Sequence, residues 1–255
     1  MRFDFSQGVV LLEADLGGSR QARLVLDTGN PLTVLDLDAA RELGLPLQES
    51  DKKTQGSGAK IFTYYQITPS KFRLGETDLP GKVVVTSVRK DFQVAGVNCD
   101  GALGYGALKD RVVQIDYPAR RIRFLDAGAT KLAAERGQTF SITWKKYWSG
   151  SPNLVTVDDV QIAGHRLCAQ VDTFYQATAI LFSTKLPWLK TEPATDAKPV
   201  RYEDAELSPA RVPDGLALGN LRLDGNAPVY IAGADAHVPE TDLSVVLGTG
   251  FFRQR

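Results

Sequence analysis

The sequence predicts an all-β, two-lobed protein, its lobes related by an approximate two-fold axis and carrying only short helices. Two observations point there. Short runs of branched and aromatic residues alternate with Gly, Asn and Pro turn signals along the chain. A set of landmarks in the first half also recurs in the second at nearly constant spacing.

In chain order, strands are expected at Val9 to Leu16, Arg23 to Leu26, Thr33 to Leu35 and Ile61 to Ile67, separated by Gly17-Gly18, Gly29-Asn30-Pro31 and Gly56-Ser57-Gly58. Further strands fall at Val83 to Val88, Val112 to Ile115 and Ile122 to Leu125. One short helix fits Asp38 to Leu43, capped by Asp36 or Asp38 and ended by Gly44 in a left-handed conformation. The small, polar segment Asp126 to Gln138 reads as a linker or short exposed helix between halves. Strands resume at Phe140 to Trp144 and Leu154 to Ile162. The expected domains are residues 1–130 and 137–255.

Composition narrows the function classes. The chain has 255 residues, long enough for one or two cores. Lys+Arg and Asp+Glu are both 30, which argues against a strongly basic nucleic-acid binder. No apolar run approaches the roughly 20 residues of a membrane span. Cys99 and Cys168 read as small buried side chains, with a bridge between them left open. Two histidines, His165 and His237, and two cysteines do not supply a metal-ligand pattern, so no metal and no cofactor are expected. No G-x-S-x-G elbow is present for a serine hydrolase. Asp4 and Gln7 interrupt any signal-peptide pattern at Met1. The compartment is therefore cytoplasmic, or periplasmic or otherwise extracytoplasmic if a leader has been trimmed.

The repeat is specific. Leu24 to Asp36 (LVLDTGNPLTVLD) and Ala169 to Phe182 (AQVDTFYQATAILF) both run apolar, Asp-Thr, three or four mixed residues, then apolar again. Asp27 and Asp172 are 145 residues apart; Gly75 and Gly219, like Gly104 and Gly248, are 144 apart. Each half is thus expected to build one β lobe.

An Asp at the end of a buried strand is chemically loaded. A lone buried carboxylate is costly unless hydrogen-bonded or protonated. Gly29 lets the backbone N–H approach Asp27, and Thr28 can donate its hydroxyl. Two such lobes about a two-fold axis would bring Asp27 to Asp172. Two carboxylates about 3 Å apart share one proton, which suits one to activate water and the other to polarise a carbonyl.

The first half resembles the aspartic peptidases of the pepsin/retropepsin clan, and bacterial retropepsin-like proteins in detail. The resemblance rests on LVLDTGN, on Gly101-Ala102-Leu103-Gly104, and on QGSGAKIFTYY, KFRLGETDLPGKVVV and DGALGYGALKDRVVQIDYPARRIRFLD. It spans nearly all of residues 8–126; the second half matches more loosely over about 153–252. It implies an acid-protease-like fold and an endopeptidase acting on polypeptide in extended conformation. Asp27 and Asp172 would be the catalytic pair, supported by Thr28, Gly29 and Thr173, with the two threonines exchanging hydroxyl–backbone bonds between lobes. Gln55 to Tyr65 would be a flap, with Gly56, Ser57, Gly58 and Tyr64 binding substrate by strand addition. Extracytoplasmic placement would follow by analogy.

The second half departs from the family pattern. Phe174 stands where the family has glycine, Asn30 and Tyr175 replace a small residue after the motif, and the sequence runs only seven residues past Gly248 where the first half continues for some twenty past Gly104, as expected of a shortened second lobe or of a trimmed chain. These departures motivate an alternative, a noncatalytic acid-protease-fold protein that binds peptide or regulates a partner. Pairing of two first lobes from separate chains is a further alternative, with a monomer favoured. Arg120, Arg121 and Arg123 read as a solvated strand edge, and Trp144, Tyr147 and Trp148 as buried packing residues that could otherwise line a groove.

Overall fold

In the computed structural model the described residues are all but 56–60, 109, 147–152, 203–204, 235, 237–240 and 254–255. The chain is 45% strand and 13% helix, an all-β protein with few short helices. It divides into two compact units, Met1–Thr130 and Lys131–Arg255.

The first unit contains β1 (Leu11–Asp15), β2 (Ala22–Asp27), β3 (Thr33–Asp36), α1 (Leu37–Glu42), β4 (Gln48–Gln55), β5 (Ile61–Ile67), β6 (Arg73–Leu74), β7 (Thr77–Asp78), β8 (Val83–Thr86), α2 (Arg89–Val94), β9 (Gly101–Gly104), β10 (Val112–Asp116) and β11 (Arg121–Leu125). Its main sheet has the order β4-β5-β8-β3-β9-β2-β1-β6-β7. Strand β2 runs parallel to β9, and β3 runs parallel to β8 but antiparallel to β9. Leu12, Leu24, Leu26, Leu35, Leu74 and Leu103 form the centre of its core. Antiparallel β10 and β11 make a separate hairpin, onto which Phe3 is bound through the Arg120 carbonyl.

Helix α1 starts where Asp36 caps it, accepting from the Asp38 and Ala39 N–H groups, and ends before Gly44 at φ 70°. The other oxygen of Asp36 accepts from the N–H groups of Val88 and Arg89 at 3.2 and 3.0 Å. This 2%-exposed carboxylate therefore ties α1 to the start of α2, a helix that the sequence reading did not anticipate.

α3 (Ala127–Arg136) follows. The second unit contains β12 (Ile142–Lys146), β13 (Asn153–Ile162), β14 (His165–Asp172), β15 (Ala179–Phe182), β16 (Glu192–Pro193), β17 (Val200–Tyr202), β18 (Ala205–Arg211), β19 (Leu216–Leu218), β20 (Leu221–Leu223), β21 (Val229–Ala232), β22 (Leu243–Gly248) and α4 (Thr249–Phe252). Along its sheet the order β18-β21-β15-β22-β14-β13-β19-β20 repeats β5-β8-β3-β9-β2-β1-β6-β7 strand for strand. The senses repeat too: β14 is parallel to β22, and β15 is parallel to β21 but antiparallel to β22. Val245, Leu247, Leu181, Ala169 and Phe251 lie in its principal core. Gly75 and Gly219 occupy the β6–β7 and β19–β20 turns with φ 59° and 58°, a left-handed backbone that favours glycine.

One sequence expectation fails here. Trp144 is half-exposed on β12, not buried, because among the described residues that strand pairs only with β13 and lies off the main path of the sheet. Tyr147 and Trp148 lie outside the described residues. Cys99 and Cys168 are both buried free thiols; burial pushes each up to about 12.

Candidate active site

In the first unit, β2 carries an apolar run whose alternate residues Leu24 and Leu26 point into the core. Asp27 ends the strand, 8% exposed, directly opposite Gly104 of β9. The chain then turns, and the Gly29 N–H donates to Asp27 Oδ1 at 2.9 Å. The Tyr105 N–H donates to the Asn30 carbonyl at 2.9 Å and the Gly106 N–H to the Pro31 carbonyl at 3.1 Å. A Cβ on Gly104 would collide with the Leu32 and Asn30 carbonyl oxygens. The glycine thus lets the Asp loop seat on the end of β9.

The second unit builds the same device. Asp172 ends β14 opposite Gly248 of β22. The Phe174 N–H donates to Asp172 Oδ1 at 2.9 Å, and the Tyr175 N–H reaches the same oxygen at 3.3 Å. The Thr249 N–H donates to the Tyr175 carbonyl at 2.8 Å, and Gly250 to the Ala177 carbonyl at 3.2 Å. A Cβ on Gly248 would collide with the Ala177 and Tyr175 carbonyl oxygens. Phe174 does not block backbone donation to the carboxylate, because that bond needs only its N–H, and its φ is not in the positive range.

The Asp172 carboxyl is shifted from its ordinary value. Burial pushes it up to about 6, while the Phe174 and Tyr175 N–H groups pull the other way. Tyr175 is also pushed up, by burial first and then by the neighbouring Tyr230 and Asp172.

Thr173 is buried and Thr28 half-buried beside their aspartates. Strands β4 and β5 pair as an antiparallel hairpin. Gly56, Ser57 and Gly58 lie outside the described residues. Tyr64, on β5, is buried at 8% exposure. His165 stacks on Trp188 with ring centroids 3.8 Å apart, which gives that histidine a packing role; His237 lies outside the described residues.

Among the described residues, Asp158, Cys168 and Asp242 bring ligand-type atoms within 4.8 Å of one another. Lys145 Nζ stands 2.8 Å from Asp242 and 3.8 Å from Asp158, so an ammonium already supplies positive charge to these acids. No helix among the described residues is long and apolar enough to cross a membrane.

Three features of the site were missed in the sequence. The second N–H donor to Asp172, from Tyr175, has no sequence signature. The buried Asp36 brace shows only as a possible cap. The exposed Gln176, an extra residue in the second Asp loop, was visible as four residues, not three, between the motif and the next strand.

Residues 12–107, less than half of the chain, match the family described as Aspartyl protease. The match supports the retropepsin-like resemblance and falls on the unit that carries Asp-Thr-Gly. Among solved structures, a retropepsin-like aspartic protease from Rickettsia conorii is similar at 17% identity and a TM-score of 0.36, over 49% of this chain and 95% of that one. No curated protein matches the chain.

Proposed function

We propose that the protein is an aspartic endopeptidase whose catalytic pair is Asp27 and Asp172, one from each unit. The observation that carries this reading is positional. In two sheets of the same strand order, each aspartate ends a parallel-paired central strand, faces a glycine, and accepts the N–H of the residue two further on. The Aspartyl protease match over residues 12–107 supports the Asp27 half of this reading.

The pair shares one proton, and the raised Asp172 carboxyl suits it to be the acid at the start of the cycle. Asp27, ionised, takes a proton from water as the water oxygen bonds to the peptide carbonyl carbon. Asp172 gives its proton to the carbonyl oxygen, forming a gem-diol. The diol then collapses: Asp27 protonates the amide nitrogen, the C–N bond breaks, and a hydroxyl proton returns to Asp172. Thr28, Gly29 and Thr173 hold the two loops. The β4–β5 hairpin, with Gly56, Ser57, Gly58 and Tyr64, covers an extended substrate. The protein acts as a monomer and uses no cofactor.

A noncatalytic peptide-binding role is the second reading, and Phe174 in place of glycine is the observation that favours it. Digestion of an unfolded protein substrate between pH 4 and 7 separates the two. Wild type cleaves, and Asp27→Asn and Asp172→Asn each lose at least about a hundredfold in rate with the fold intact by circular dichroism. Saturable peptide binding without cleavage by wild type would establish the second reading.

A further inference from the structure

We infer that Phe174 is a specificity-determining residue that excludes bulky side chains from the position beside the scissile bond on the Asp172 side. This inference rests on the proposed catalytic pair and goes beyond it.

The Phe174 nitrogen lies 2.9 Å from Asp172 Oδ1. Its Cβ is only two bonds further along, so the ring is rooted within about 6 Å of the carboxylate. A peptide carbonyl attacked by water held on that carboxylate must itself approach to about 3–3.5 Å of the attacking atom. Ring and substrate therefore compete for the same neighbourhood. Phe174 is half-buried, unlike Ala179, Ile180, Leu181 and Phe182 of the following strand, which are fully buried.

The comparison with Gly29 shows what the phenyl group changes. Neither Gly29 nor Phe174 has a positive φ, and both N–H groups bond their aspartate at 2.9 Å. Backbone conformation therefore does not distinguish the positions; volume does. The second loop is also one residue longer, and the extra Gln176 is exposed. Both differences add bulk on the Asp172 side alone. The substrate position facing Asp27 keeps the room glycine leaves, whereas the position facing Asp172 is restricted to small side chains. Specificity is asymmetric about the cleaved bond.

The test uses noncleavable hydroxyethylene peptide isosteres carrying Ala or Phe at one flank or the other, titrated calorimetrically into wild type, Phe174→Gly and Phe174→Ala. Wild type should bind the Ala form at least about tenfold more tightly than the Phe form at one flank, with little preference at the other. Either variant should cut that preference to about threefold or less, mainly by tightening the Phe form. Two variants are used so that a folding defect in one does not decide the result, and each is checked by its thermal unfolding. The same preference in wild type and both folded variants would overturn the role of Phe174 and leave the catalytic pair standing. Failure of folded wild type to bind any isostere would overturn the catalytic reading, and this inference with it.

Discussion

The two units repeat one sheet order and differ in what decorates it. Both place Asp opposite Gly at the end of a parallel pair, and both clamp the loop that follows with N–H groups from the turn after that glycine. Away from this centre they diverge. The position after Leu35, register partner of Gly101, is the charged Asp36; the corresponding position after Leu181, register partner of Val245, is Phe182. Asp36 is buried by satisfying four N–H groups and pairing with Arg89 at 3.2 Å. Phe182 is fully buried among Ile180, Leu207 and Tyr230. One unit supports its third central strand with a polar brace, the other with apolar packing. The first also carries the long β4–β5 hairpin, where the second has the shorter β17–β18 pair. The shared part is what positions the two carboxylates, and the divergent part surrounds it.

If the Asp loops of both units seat on glycine in the same way, Gly104→Ala and Gly248→Ala should be comparably damaging. In each case the new methyl meets backbone carbonyl oxygens that cannot swing aside. Each should cost roughly 2–4 kcal/mol in urea unfolding, or prevent folding. A loss below about 1 kcal/mol for one and not the other would break the comparison.

A smaller effect sharpens it through pH. The Asp172 carboxyl is raised above its ordinary value of 3.8 to about 6, so the fold prefers its protonated form. Its contribution to stability is present below pH 4 and lost as pH rises through about 6. Asp172→Asn keeps an oxygen for the Phe174 and Tyr175 N–H groups and removes the buried charge. Its melting temperature should exceed that of wild type by a few degrees at pH 8, with a smaller difference at pH 4. An equal difference at both pH values would mean that Asp172 is not held in a proton-retaining environment.

Much of the centre was legible in the sequence because it is short-range and repeated. Asp27 and Gly104 are a register pair, as are Asp172 and Gly248, so offsets between the halves that agree to within one residue reflect a common strand pairing. Gly75 and Gly219 kept the offset because each fills a left-handed turn. Helix α2 was not legible: it has no side-chain cap of its own, and the acid that bonds its first N–H groups lies 52 and 53 residues earlier in the chain. The exposure of Trp144 was hidden for a similar reason. An aromatic residue in an apolar-rich segment reads as core, and only the sheet order shows that β12 lies off the main path.

The central claim is that the two reacting acids come one from each half of a single chain. Peptide hydrolysis by Asp172→Asn, followed over a hundredfold range of protein concentration and in an equimolar mixture with Asp27→Asn, tests it most directly. The account predicts no turnover at any concentration and no rescue in the mixture. Cleavage by Asp172→Asn whose specific activity rises with protein concentration would contradict it and assign the chemistry to two copies of Asp27.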